Sequence, residues 1–247
     1  MCSQYTLKAD RNQILEKLDV KDQESKPYDF RAHGYLKTDL APVVVEMDGD
    51  IQIREMHFSL CPSWSKEFPY KWSSYNARLE RPNPKKPSET EFIYQVPTWR
   101  DAFNKGKTCL VPMTSAIESS YFGTHAGRIV SFSVKDKDFF FCAGLWSEWI
   151  DKSTGEIKET FTLLTDDPYR FFFETGHDRS VIVLESDAHK KWLTDKKLTP
   201  KERFDFIRTK RANPSWDVAT DREMAKGWEK RAPSPADLQS IKIWSPI

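Results

Sequence analysis

The chain has 247 residues, 38 basic against 37 acidic side chains and 38% hydrophobic content, which suits a soluble protein with a sizeable core. Near-zero net charge excludes a global field that draws in nucleic acid, so any such site has to be a local patch. Four scattered cysteines without a CxxC pair, no apolar leader and no apolar run of ~18 residues argue against a disulfide scaffold, a zinc site, a secretory signal and a membrane span, so a reducing, cytoplasmic setting is expected.

In chain order, residues 1–7 read as a short strand and ADRNQILEKL (9–18) as a helix with Ile14, Leu15 and Leu18 on one face. Residues 21–37 are polar and without period, hence loop. PVVVEM and IQIREMHF, parted by Asp48-Gly49-Asp50, predict two strands joined by a turn. Residues 81–91 form a proline- and charge-rich loop, Thr98 is a candidate cap for a helix over 99–104, and 108–112 returns as a strand. GRIVSFSV and FFFCAGLW flank a polar tip at 135–138 that fits a hairpin, and DKSTGE leads into the strand ETFTLLT. Asp167-Pro168 is expected to cap a helix through Phe173. HDRSVIVLE reads as a strand, Ser186 as the cap of a helix over 187–193, and Thr199-Pro200 as the start of another; the final thirty or so residues look irregular. Strands outnumber helices, and their spacing predicts a folded-over or barrel-like β core with peripheral helices.

Four places carry candidate chemistry. Cys2 follows the initiator methionine directly. Its small side chain permits removal of Met1, which would leave an α-amine (pKa about 7.7–8.0) and a thiol (about 8.5) on one residue. Asn76 and Arg78, at i and i+2 in YNARLE, share a face if the segment is extended, and a carboxamide beside a guanidinium suits a phosphate or sugar oxygen. Glu118 lies among small and apolar residues, where partial burial suits a carboxyl to proton exchange. His177 and Arg179 share a face ahead of an apolar run, and histidine is the side chain most easily tuned to move protons. Taken singly, each also fits a plainer reading: a chance cysteine, a surface arginine, a salt-bridged glutamate, an ordinary histidine.

Together and in order, MC at the start, YNARLE, CLVP followed by a glutamate, FCAGLW, ETFTLLT and HDRSVIVL resemble the SRAP family, the SOS response-associated peptidases that include abasic-site shielding proteins. The resemblance spans roughly residues 1–195 and leaves the C-terminal fifth, 196–247, as a helix and irregular tail packed on the same domain. It implies an α+β fold, one compact domain around a β-barrel-like core, and covalent capture of abasic sites in single-stranded DNA. It also implies a catalytic set of Cys2, Asn76, Glu118 and His177, with Arg78 and Arg179 on DNA phosphates, and a lyase side activity. No metal or organic cofactor, no membrane and a monomeric protein are expected. Departures fall at the DNA-contacting fringe. Ser3 and Gln4 stand where relatives carry Gly-Arg, Ser119 replaces a tryptophan, and His57-Phe58 replaces an arginine-tryptophan pair. Phe58 is then the aromatic expected to stack on a base, and Asn76 is expected to touch the DNA as well as the terminus. The main rival reading is an N-terminal-nucleophile cysteine peptidase using the same residues on a peptide bond.

Overall fold

A computed structural model of the chain describes residues 3–21 and 24–246. The N-terminal half holds strands β1 (Gln4–Asp10), β2 (Pro27–His33), β3 (Leu40–Met47), β4 (Asp50–Phe58), β5 (Asn76–Arg78), β6 (Glu80–Asn83) and β7 (Lys86–Phe92), with helices α1 (Arg11–Glu16) and α2 (Arg100–Asn104). Then follow β8 (Thr108–Met113), β9 (Ser115–Ser120), β10 (Arg128–Val134), β11 (Phe140–Ile150), β12 (Ile157–Asp166) and α3 (Arg170–Thr175). The C-terminal part adds β13 (Ser180–Val181), α4 (His189–Thr194), α5 (Pro200–Thr209), β14 (Trp216–Glu223) and α6 (Pro235–Ser240). Among the described residues no helix is long and apolar enough to cross a membrane.

One sheet closes on itself. Strands run β11-β8-β3-β4-β12, and the long β11 pairs with β8 through its first half and with β12 through its second, completing a five-stranded barrel. The α+β, barrel-centred architecture is therefore as expected. A second sheet, β14-β10-β9-β1-β2, lies against the barrel. Its Tyr5, Ala116, Val130 and Phe132 share one apolar cluster with Val43, Val45, Met56, Phe58 and Phe161 of the barrel. The chain passes between the sheets through a single residue, Thr114, between β8 and β9.

Local chemistry explains the elements that were foreseen. Asp48, at φ +55°, and Gly49, at φ +92°, supply the two left-handed residues of the turn joining β3 and β4. Thr199 and Glu202 form a reciprocal capping box at the start of α5, with Pro200 in its first turn.

Other expectations are corrected. The loop at 21–37 contains β2, which pairs with β1 over seven positions, and 81–91 contains most of the β6–β7 hairpin, a separate two-stranded sheet. GRIVSFSV and FFFCAGLW are adjacent strands in sequence but belong to different sheets, so the turn between them is a crossing rather than a hairpin. Tyr169, not Asp167, occupies the cap of α3, and Trp99, not Thr98, that of α2. Only Ser180–Val181 of HDRSVIVLE forms a ladder with β12; Val183 and Leu184 make single bridges to Cys142 and Arg211. The tail is not all irregular: β14 adds an edge to β10. Further on, Trp244 donates its N–H to Pro168 O at 2.9 Å. There the Arg211 guanidinium lies 4.4 Å from both the Tyr169 and Trp244 rings.

Candidate active site

Cys2 and Met1 lie outside the described residues, but the strand that follows them is well anchored. Gln4 pairs with Ile117 and Tyr5 with Ala116, and Ser3 O accepts from Gly34 N at 2.9 Å. The start of β1 is thus held beside the residue that precedes Glu118. Gly34 has no room for a side chain, since a Cβ there would meet Tyr75 Cβ at 2.4 Å. Tyr75 leads into Asn76, so this close approach joins the N-terminal strand to β5.

Glu118 sits on a core-facing position of β9. It pairs opposite Val130, two residues beyond Ala116, and is 3% exposed. A carboxyl in such a place incurs a desolvation cost of several kcal/mol unless partnered. Its partner is His177, 1% exposed, with Nε2 at 3.3 Å from Glu118 Oε2. The other ring nitrogen, Nδ1, lies 2.9 Å from Ser119 O. A carbonyl only accepts, so Nδ1 carries hydrogen, and Nε2 faces the carboxyl oxygen with one proton to be held between the two atoms. Burial drives the His177 pKa below the ordinary histidine value, opposed by the Glu118 charge. A buried carboxyl and imidazole at this distance make an arrangement suited to acid/base chemistry.

The turn that delivers His177 is built around glycine. α3 ends at Thr175, whose carbonyl accepts from Ser120 Oγ at 2.7 Å, and Gly176 O accepts from Tyr121 N at 2.9 Å. Gly176 adopts φ +125°, and a Cβ there would overlap Phe122 O at 1.8 Å. Gly176→Ala is therefore expected to lower unfolding free energy by about 2–4 kcal/mol, read by chemical denaturation. An unchanged midpoint would mean that the turn adapts and does not set the histidine.

β5 runs parallel to β12, with Asn76 opposite Leu163 and Arg78 opposite Thr165, so the two side chains share a face as expected, separated by buried Ala77. β4 reaches β12 further back, at Thr160 and Phe161. The intervening excursion is closed at its neck by Ser59 Oγ and Ser74 Oγ, 2.8 Å apart. Arg78 Nη2 donates to Asp167 Oδ1 at 2.9 Å, while its buried Nε has no hydrogen-bond acceptor among the described residues. Arg179 Nε lies 3.4 Å from Asp178 Oδ1. Each arginine thus has an aspartate counter-ion within reach. Arg78, Asp167 and Asp178 line one cleft with Arg81 of β6 and Lys242 of the C-terminal segment. No sequence signal singles out the aspartates, although Asp178 stands inside HDR and Asp167 is the expected helix cap.

Phe58 is corrected outright. It is fully buried, stacked on Phe161 at 4.9 Å and edge-on to Tyr5 at 5.4 Å. Its ring stabilises the interface between barrel and sheet, by about 1.5–3 kcal/mol for a buried side chain of this size, and offers no face to a base.

The remaining cysteines are poor nucleophiles. Cys61, Cys109 and Cys142 are buried free thiols. Burial pushes Cys61 up to about 11 and Cys109 higher still. Among the described residues no group of three or more His, Cys, Asp or Glu is arranged to hold a metal.

A family model described as SOS response associated peptidase (SRAP) matches residues 1–221, further toward the C-terminus than the sequence motifs reach. Abasic site processing protein YoaM of Bacillus subtilis is 22% identical over 200 residues, covering 81% of this chain and 82% of its own length. Abasic site processing protein YoqW of Bacillus phage SPbeta is also 22% identical, over 81% of this chain and 83% of its own. Among solved structures, a protein from Bacteroides thetaiotaomicron superposes with a TM-score of 0.69 at 20% identity, covering 96% of this chain and 99% of that one. A Bordetella bronchiseptica protein superposes with a TM-score of 0.68 at 19% identity, over 90% and 100%.

Proposed function

Because the chain belongs to the SRAP family, with relatives named as abasic site processing proteins, we propose that it processes abasic sites by capturing them covalently in single-stranded DNA through Cys2. The observation that carries this reading is the buried Glu118–His177 pair beside the strand that begins two residues after Cys2.

The chemistry balances without an external reagent. An abasic deoxyribose equilibrates between a closed ring and an open aldehyde. Opening the ring requires a proton on the ring oxygen and loss of one from the anomeric hydroxyl, transfers assigned to Glu118 with help from His177. Once Met1 is removed, the neutral amine of Cys2 attacks the aldehyde carbon and water leaves, forming an imine. The thiol of the same residue then adds to the imine carbon, its proton passing to nitrogen, and closes a five-membered thiazolidine. Attack by an internal cysteine yields only a reversible hemithioacetal, so this chemistry requires both groups on one terminal residue. Elimination from the imine before ring closure accounts for a lyase side reaction. Asn76 orients the terminus or the sugar, and all of these reacting and orienting groups fall within residues 1–195.

Arg78 and Arg179 are assigned to phosphates flanking the lesion. Replacing either with alanine is expected to weaken capture regardless of sequence and to flatten its salt dependence by about 0.7 in log–log slope per lost contact. The check is titration of binding against potassium chloride. Capture that ignores salt in parent and variants alike contradicts an electrostatic cleft.

A further inference from the structure

The register of β10 with β14 slips between Ile129, which pairs with Arg222, and Val130, which pairs with Thr220. Asp221 is therefore an extra residue on β14. A bulge of this kind bends a strand and re-aims the side chains beside it. Here Asp221 reaches the opposite edge of the same sheet, where β2 presents Arg31, and accepts from both of its terminal nitrogens, at 2.6 and 3.1 Å. A contact between the two edge strands requires the sheet to curl, with Gln4, Thr6, Ser115 and Ser131 on its inward, polar face.

Asp221 also accepts from Arg222 Nη1, while Arg222 Nη2 lies 3.5 Å from Gln4 Oε1. One carboxylate thus faces two guanidinium groups, leaving one surplus positive charge. The Asp221 side chain is 16% exposed and that of Arg222 44%, so the surplus charge is displayed on Arg222. It stands at the N-terminal end of β1, where Gln4 pairs with Ile117, on the face of the sheet opposite the one from which Glu118 projects. Gln4 neither repels nor neutralises it. An exposed, oriented guanidinium with donors left over is matched by the oxygens of a phosphate.

We propose that Arg222 holds a backbone phosphate of the single strand beside the captured sugar, oriented by the Arg31–Asp221 clamp and by Gln4. Arg222 lies one residue beyond the segment that the family model matches, and position 4 carries glutamine where the resemblance expects arginine. The fold thus brings a guanidinium from β14 to the place that position 4 leaves uncharged. This inference rests on the abasic-capture reading.

Two readouts separate them. The parent's yield of denaturation-resistant adduct with a single strand carrying one abasic site reports on the reading. Fluorescence anisotropy with an undamaged oligothymidylate, titrated in salt, reports on Arg222. Arg222→Ala is expected to weaken anisotropy binding about 5- to 10-fold at low salt and to reduce the slope by about 0.7. Arg222→Lys should keep most of the affinity, and adding Gln4→Arg to Arg222→Ala should restore it. If the parent forms adduct but Arg222→Ala binds with the parent's affinity and slope, the inference alone falls. It falls too if the loss persists in both Arg222→Lys and the Gln4→Arg double variant, since a disturbed strand then accounts for it. No adduct from the parent overturns the reading and the inference together.

Discussion

Glu118→Gln is expected to slow adduct formation by about 10²–10⁴-fold, the range in which a positioned general acid/base contributes, while DNA affinity holds or rises slightly. The substitution keeps the shape of the side chain and its capacity for hydrogen bonds but removes its exchangeable proton. Glu118 is 3% exposed and its Oε2 faces His177 Nε2 at 3.3 Å, so water is poorly placed to substitute as the proton carrier. Affinity should not fall, because the carboxyl touches no expected phosphate site and its charge opposes an incoming polyanion. The defect should shrink on substrates whose aldehyde is already open, since ring opening is the step assigned to this carboxyl. Stopped-time gels on closed and pre-opened substrates separate the steps. Equal slowing on both moves Glu118 to the imine chemistry, and no slowing removes it from the mechanism.

Cys2→Ser is expected to abolish the durable adduct while leaving a Schiff base that borohydride traps. Serine keeps the terminal amine, so attack on the aldehyde survives. Its hydroxyl is a far weaker nucleophile toward the imine carbon than a thiol with a reference pKa of about 8.5. The imine therefore persists, and strand cleavage by elimination should increase. None of the other cysteines can stand in, because Cys61, Cys109 and Cys142 are all buried. A Cys2→Ser protein that gave an adduct as resistant as the parent's would show the thiol to be irrelevant.

What the sequence made legible is what local chemistry encodes. The turn at Asp48-Gly49-Asp50 and the capping box at Thr199 are written in adjacent residues, and both form as read. β2, the β6–β7 hairpin and β14 were hidden because their polar or proline-containing segments become strands only through pairing with distant or weakly apolar partners. The two strands around 135–138 misled for a related reason: adjacency in sequence predicts a hairpin, but β10 buries its apolar face against the barrel from another sheet.

At the site, the motif order singled out Glu118 and His177, and the structure puts them in contact. What no motif conveyed was the set of neighbours that tune them: Ser119 O fixing the imidazole, Gly176 making the turn, and Asp167 and Asp178 facing the two arginines. Phe58 was misjudged although β4 carried a signal, since Met56 and Phe58 alternate on the inward face of the strand.

The most direct measurement is the mass of the product. Purified protein is mixed with single-stranded DNA bearing one abasic site, denatured, digested and analysed by mass spectrometry. Covalent capture through the terminus predicts a heat-stable adduct on the first peptide, lacking Met1, with the DNA fragment on Cys2 and a mass lower by one water than the sum of its parts. An absent adduct, an adduct on another residue, or an adduct on a peptide that retains Met1 would contradict it.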